Sequence, residues 1–426
     1  MHLVERFADW AVAFRKQDLS AEVIHHARRA VIDWHAALYP GAVVPPATLL
    51  EKAFREELDR GSAALALGRR APPRLAALIN GTAAHTVEVD DIFRDGIYHP
   101  GAPTVAAAFA ATEPTRALRA ATVGYEISTR IGAAMGKAHY KHWHNTGTIG
   151  SFGAAAAAAE ALKLDRRQFA HALATVTTFA AGLQQAFRMD SMSKPLHAGR
   201  AAEAGVAAAL MAREGVTGSL DVMAGFAAAM GDKPDWEKGL ATLGRDFHIT
   251  RMTFKNHACC GHTFAAIDGA LELKKRMNIE AADIESVEVA TYRAGLEVAH
   301  YEEPRTPAEG RFSLKYVVAT ALTHGSVRLA AFEQRRLQDA ATARLMRKIS
   351  LSVDPELEAA FPAKRAARVA IQAKGRREEW LQPTRIGDPD APLSDRVLEE
   401  KYFELATPVL GETKAREVLA RLWQLE

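Results

Sequence analysis

The chain has 426 residues, 48% of them hydrophobic, with 54 Lys and Arg against 51 Asp and Glu. That length holds roughly two or three domains with substantial cores, and a formal net charge of +3 leaves no nucleic-acid footprint. The two cysteines, Cys259 and Cys260, are adjacent, so no spaced pair builds a disulfide framework, which fits a reducing compartment. The opening MHLVERFADWAVAFRKQ is broken by charges and lacks the apolar core of a signal peptide. No apolar run reaches membrane length, and the cytosol is the default expectation.

From the start to about Thr250 the sequence is alanine-rich and helical in texture, as in VAAAFAAT and SFGAAAAAAEAL, with Gly and Pro at the turns. It carries no G-x-G-x-x-G after a strand and no Walker lysine motif. Within it, GTAAHTVEVDDIFRDGIYHPGAP (Gly81 to Pro103) gathers His85, Glu88, Asp90, Asp91, Asp95 and His99 at one bend. Two readings are open: a solvated acidic turn with a satisfied histidine, or a site that moves protons, where a carboxylate fixes an imidazole's tautomer and raises its basicity. Three further segments place histidines and basic residues among small residues: HYKHWHNTGTIG from His139, SKPLHAGRAAEAG from Ser193 and KNHACCGHTFAAID from Lys255. Basic heads facing one concavity suit a substrate with several carboxylates. Beyond Met277 the texture changes. IESVEVATY (Ile284 to Tyr292) and ARVAIQAK (Ala367 to Lys374) alternate as strands do, while LKYVVATALTHG and SDRVLEEKYFELATPVL read as helices. The basic run Lys364 to Arg368, and Arg376 with Arg377, read as solvated faces or strand flanks. A helical domain over 1–261 and 393–426 and an α+β domain over 262–392 are expected.

Taken in order, LSAEVIHHARRAVIDWHAAL, NGTAAHTVEVDD with HPGAP, WHNTGTIG, KPLHAGRAAEAG, the Lys255 segment and GDPDAPLSDRVLEEKY resemble the motifs of the MmgE/PrpD family. That family includes 2-methylcitrate dehydratases, cis-aconitate decarboxylase and iminodisuccinate epimerase. The resemblance runs nearly end to end. It implies a mainly α fold, a large all-helical domain plus a smaller α+β lid domain, with the last helices returning to the helical domain. It also implies a homodimer and chemistry with no metal, flavin or nicotinamide cofactor. Its motifs map a catalytic set onto His99, His144, Lys194, Lys255 and Tyr316.

Read from the residues, His99 precedes Pro100, so its backbone is extended; by the family resemblance it is a general acid or base, and otherwise a turn histidine bonded to a carbonyl. Asp90 and Asp91 orient a histidine or bind substrate, or cap the helix that follows. His144 stands before a helix N-terminus that suits an anion. Thr146 and Thr148 donate to a carboxylate or cap that helix, and His139 and His142 read as surface residues. Lys194, His197 and Arg200 fall at spacings of three on a helix beginning near Pro195; Arg200 grips a substrate carboxylate or holds an internal acid such as Asp190. Lys255 and His257 bind a carboxylate, or Lys255 is a base tuned by burial. A metal centre of His257, Cys259, Cys260 and His262 is the lesser reading, because adjacent cysteines chelate poorly, and so is Cys260 as a nucleophile. Tyr316 is otherwise an ordinary amphipathic helix position.

Two departures stand out. The family's D-F-D-D-T is here Glu88, Val89, Asp90, Asp91, Ile92, and a frequent Thr-His pair is Thr263 and Phe264. Both remove polar groups from places expected to touch the ligand. The expected function is a cofactor-independent lyase on a hydroxy di- or tricarboxylate, working by proton abstraction beside a carboxylate, most simply a dehydratase of the 2-methylcitrate type. An epimerase or decarboxylase on the same scaffold is the first alternative. A non-catalytic polycarboxylate-binding protein is the second. Partners reduce to a small polycarboxylate, with no nucleic acid and no membrane.

Overall fold

The alanine runs become helices that are buried on every side. In the computed structural model, which describes residues 1–187, 191–231 and 233–426, the chain forms two units, Met1–Phe254 with Ser394–Glu426, and Lys255–Leu393. The junctions expected from sequence texture were 261/262 and 392/393.

The first unit opens with α1 (Leu3–Phe14) and α2 (Ala21–Ala42). Ser20 starts α2 by accepting the Val23 amide at 3.2 Å, a side-chain cap on an otherwise orphaned donor. Then follow α3 (Pro73–Thr86), α4 (Gly101–Ala111), α5 (Pro114–Tyr140), α6 (Asn145–Ala161), α7 (Arg166–Thr177) and α8 (Ser193–Arg213). Every residue of α6 is buried, as expected of a helix that is apolar all round, and α4, α5, α7 and α8 pack about it. Small residues set the spacing. A Cβ on Gly199 of α8 would stand 2.0 Å from Thr82 Oγ1 and 2.3 Å from the Leu78 carbonyl of α3, so only glycine permits that crossing.

Near its end α5 breaks at Gly136, whose φ of 64° and ψ of −161° are not helical. The break re-aims the last turn and explains a correction. His139, expected on the surface, is fully buried, with Nδ1 2.8 Å from the Met230 carbonyl and Nε2 2.7 Å from Thr148 Oγ1. Burial lowers its pKa. His142 is exposed, as expected.

The second unit contains α9 (Phe264–Met277), α10 (Leu314–His324) and a four-stranded sheet of β1 (Ile284–Thr291), β2 (Ile349–Val353), β3 (Ala367–Ala373) and β4 (Arg376–Gln382). The order is β2-β1-β3-β4. β1 runs parallel to β2, with Val287 opposite Ile349, and antiparallel to β3, with Val289 opposite Val369. The β3–β4 hairpin turns at Lys374 and Gly375, both with positive φ, the conformation a two-residue hairpin needs. Within the basic run Lys364 to Arg368, Arg365 is buried rather than solvated.

The chain then returns to the first unit as α11 (Asp395–Leu410) and α12 (Glu412–Leu422). α11 lies along α2, where Arg29 pairs with Asp395. Among the described residues no helix is long and apolar enough to cross a membrane.

Candidate active site

The site-bearing segment begins where α3 ends. Glu88 takes a positive φ of 61°, uncommon outside glycine, and turns the chain into Val89, Asp90 and Asp91. Ile92 then forms an antiparallel bridge to Thr253, with N–O distances of 2.9 Å in both directions. A second bridge, Phe93 to Tyr98, closes a short loop that delivers His99 just before α4. The N-terminus of α6 pins this loop: Asn145 Nδ2 donates to the Gly96 carbonyl at 2.7 Å, and Thr146 Oγ1 accepts the His99 amide at 3.2 Å. Thr146 is thus a clamp on His99.

The two adjacent aspartates have different work. Asp91 accepts the Gly101 amide at 2.9 Å and the Tyr125 hydroxyl at 2.6 Å, so it caps α4, and burial, with Asp33 nearby, pushes its carboxyl up to about 7. A Cβ on residue 101 would stand 2.8 Å from Asp91 Oδ1, so Gly101 is what allows this cap. Asp90, 1% exposed, faces histidines instead. Its Oδ2 lies 2.7 Å from His85 Nδ1 and 3.3 Å from His99 Nδ1. Burial acts to raise the Asp90 carboxyl, but the two imidazoles outweigh it and hold it well below the usual carboxylate range. His85, fully buried, is pushed down to about 3 by desolvation despite Asp90. The pair is therefore a neutral imidazole donating to a carboxylate.

Two more imidazoles extend the row. The His85 ring centroid lies 4.7 Å from that of His99 and 5.6 Å from that of His144. His144 Nδ1 is 2.9 Å from His197 Nδ1, so one nitrogen carries the proton and the other accepts it. Burial lowers the pKa of both, which keeps that contact neutral. Lys194 pairs with Glu88, and its charge helps depress both His85 and His197. The first unit thus brings together Asp90, His99, His144, Lys194 and His197.

Arg200 does not join them. Its side chain is 56% exposed and bonds Glu203 at 3.2 Å, because three residues along α8 carry it out to the rim. Asp190, its other suggested partner, lies outside the described residues. Ile92 is buried within this unit.

Lys255, His257 and Tyr316 belong to the second unit, and Lys255 is buried there. His257 Nε2 is 2.8 Å from Asp268 Oδ1, whose Oδ2 accepts the Ile386 amide at 2.9 Å. The Phe264 edge closes over His257, with centroids 5.2 Å apart at 83°. Tyr316 donates its hydroxyl to the Ala331 carbonyl, and burial raises its pKa. The residues of the lesser metal reading take separate partners: His257 takes Asp268, Cys259 takes Thr263, and His262 takes Tyr292. Burial pushes the Cys259 thiol up to about 12, which leaves it inert.

Sequence reasoning left His85 without a role, although it stands in the richest run. Its signal was a lone histidine ending a helix of small residues, five positions before Asp90. Among the described residues, His85, Asp90 and His99 are the group with metal-ligand spacing, one ligand atom of each lying within 4.8 Å of the others. As it stands, the group is an imidazole, 15% exposed, backed by a buried carboxylate that a second imidazole orients, an arrangement of the kind that suits proton transfer.

This arrangement sits in a chain whose residues 5–239 match the MmgE/PrpD N-terminal domain and whose residues 257–425 match the MmgE/PrpD C-terminal domain. The protein belongs to the MmgE/PrpD family. Among its relatives, the cis-aconitate decarboxylase-like protein oryM of Aspergillus oryzae is 26% identical over 460 residues, covering 100% of this chain and 95% of the relative. The cis-aconitate decarboxylase of Homo sapiens is 25% identical, covering 100% and 92%. The 2-methylcitrate dehydratase of Salmonella typhimurium is 31% identical over 133 residues, 30% of this chain and 26% of the relative. The family-level role these relatives support is that of a lyase.

Proposed function

We propose that the protein is a cofactor-independent lyase acting on a di- or tricarboxylate, with His99 as the group that moves the proton beside a carboxylate. The observation that carries this reading is the Asp90 oxygen shared between His85 and His99. The Asp90 oxygen stands 3.3 Å from His99 Nδ1 and orients that ring, while His85 fixes the carboxylate's direction. In dehydration, His99 takes the proton from carbon, and hydroxide leaves with a proton from an acid. In decarboxylation, carbon dioxide leaves and the electron pair left on carbon takes a proton. Lys194 supplies cationic stabilisation of the charge that builds on the substrate carboxylate. The parts proposed for Lys255 and Tyr316 rest on motif resemblance alone. Assembly as a homodimer is proposed on the same basis.

Relatives aligned across the whole chain are named as a cis-aconitate decarboxylase and a cis-aconitate decarboxylase-like protein, which supports that branch. Dehydration, the simplest expectation from sequence, is supported by the shorter match. Chelator-treated protein incubated in heavy water with cis-aconitate, 2-methylcitrate, citrate, itaconate and iminodisuccinate separates the branches by proton NMR. Water loss gives an alkene, decarboxylation an itaconate-like product, and epimerisation only exchange at carbon. Binding without exchange or turnover of any of them would favour a polycarboxylate-binding protein. Activity that vanished with chelator and returned with a divalent ion would contradict the cofactor-independent chemistry.

A further inference from the structure

The closing motif GDPDAPLSDRVLEEKY has no part in the site as described so far, yet its lysine reaches that site's backbone. Lys401, on α11, is 4% exposed. Its Nζ donates to Asp33 Oδ1 at 2.5 Å and to the Val89 carbonyl at 2.6 Å. Asp33 lies on α2, itself fully buried, so the ammonium is paired where an unpaired charge would be costly.

The Val89 carbonyl is not an arbitrary acceptor. It belongs to the peptide unit joining Val89 to Asp90, and that unit is planar. Holding its oxygen restricts how that plane can turn, and the plane sets the position of the Asp90 Cα from which the side chain leaves the backbone. The preceding residue, Glu88, has its φ at 61°, a conformation that persists only where surrounding contacts hold it. On one side of the segment, Glu88 is tied to Lys194. On the other, the Val89 carbonyl is tied to α11.

We infer that Lys401 is a positioning residue for the reaction proposed above. Through the Val89 peptide it aims Asp90 at His85 and His99, so the C-terminal helix, remote in sequence, sets the acid–base geometry. The inference rests on that reading of the site. The competing account is that the Lys401–Asp33 pair only fastens α11 to α2.

The full-length chain separates the two accounts through three variants: Lys401→Met, Lys401→Arg, and Asp33→Asn combined with Lys401→Met. The double variant removes the buried Asp33 charge that has lost its Lys401 ammonium in the single Met variant, so its melting temperature returns toward that of the parent even if the single variant folds poorly. Two quantities are read: kcat on the substrate turned over by the parent, and the low-field NMR signal of the His85 Nδ1 proton bonded to Asp90, which needs no substrate. A positioning role predicts that the double variant recovers its melting temperature while kcat stays down by about 10²-fold, with KM little changed. The His85 signal stays shifted, and Lys401→Arg, which keeps a donor, recovers part of both. Return of either kcat or the His85 signal to the parent value in the double variant would overturn the inference. If the parent turned over nothing, the function reading would fail, and the His85 signal would still decide whether Lys401 aims Asp90.

Discussion

His85 and Asp90 are joined by a 2.7 Å hydrogen bond with both side chains sealed from solvent. Their charge states follow from competing physical effects. Desolvation is enough to keep the imidazole neutral, while N–H donation and the neighbouring His99 keep the carboxylate ionised. His99, 15% exposed, is the partly accessible imidazole beside this buried pair. Replacing Asp90 by Asn keeps the size and an acceptor oxygen for His85 but removes the charge. The Asn variant should fold, bind substrate with little change in KM and lose roughly 10²–10⁴-fold in kcat, the range general acid–base groups supply. Steady-state kinetics beside a thermal melt checks this.

The neighbouring Asp91 predicts a pH effect on stability. Its folded pKa is raised to about 7, above an unfolded value of about 3.9. Between those values the folded state holds a proton that the unfolded state has lost. This group's contribution is therefore fully present below about pH 4 and is lost as pH rises toward 7, at up to about 1.4 kcal/mol per pH unit. The Asn variant at 91 keeps an acceptor for the Gly101 amide and removes the titration. The difference between parent and variant stability, taken from denaturant melts at pH 4 to 8, should fall along that slope. Equal pH dependence in the two proteins would show that Asp91 does not titrate in this window.

Lys194 and Arg200 are six residues apart on α8 and should behave oppositely. Substituting Lys194 by Met removes the cation beside the histidine row and the ammonium that pairs with Glu88, so kcat/KM should fall by about 10²-fold or more. Substituting Arg200 by Ala touches an exposed pair with Glu203, worth little in stability, and should leave kcat/KM within about threefold. Parallel kinetics on the two variants reads the contrast.

Much of this was legible in the sequence, and the exceptions have identifiable physical causes. The alternation of Ile284–Thr291 and Ala367–Ala373 marks half-buried strands, and both are strands of the sheet. Arg376–Gln382 (RREEWLQ) is also a strand, but as an edge it carries charges that pair with other strands, Arg377 reaching past β3 to Glu288 of β1 among them. The acidic bend holds His85, Asp90 and His99 of the candidate site. It could not say that Asp90 faces imidazoles while Asp91 caps a helix, because the difference lies in what packs opposite: His85 for one, Gly101 and Tyr125 for the other. His139 read as surface amid YKHWH because the break at Gly136 leaves no mark in the hydrophobic period. Lys401 did not stand out within its helical stretch, since its acceptors are 368 and 312 positions away in sequence.

Ile92 offers a check on the departures from the family pattern. It is buried and its backbone pairs with Thr253, so a polar side chain there meets protein. Replacing it by Thr should lower stability by about 1–3 kcal/mol, read by denaturant melts, without raising kcat/KM on any carboxylate tested. A gain in turnover would mean that this position faces the ligand.

The central claim is that His99, backed by Asp90, moves the proton. The most direct measurement is proton NMR in heavy water on the parent and on the His99→Ala variant, each confirmed folded, with cis-aconitate and 2-methylcitrate as substrates. The account predicts that the parent turns over one of them with deuterium entering beside a carboxylate, and that the variant loses this by roughly 10²–10⁴-fold while still binding the same compound. A variant that kept the parent's rate of turnover and exchange would contradict it.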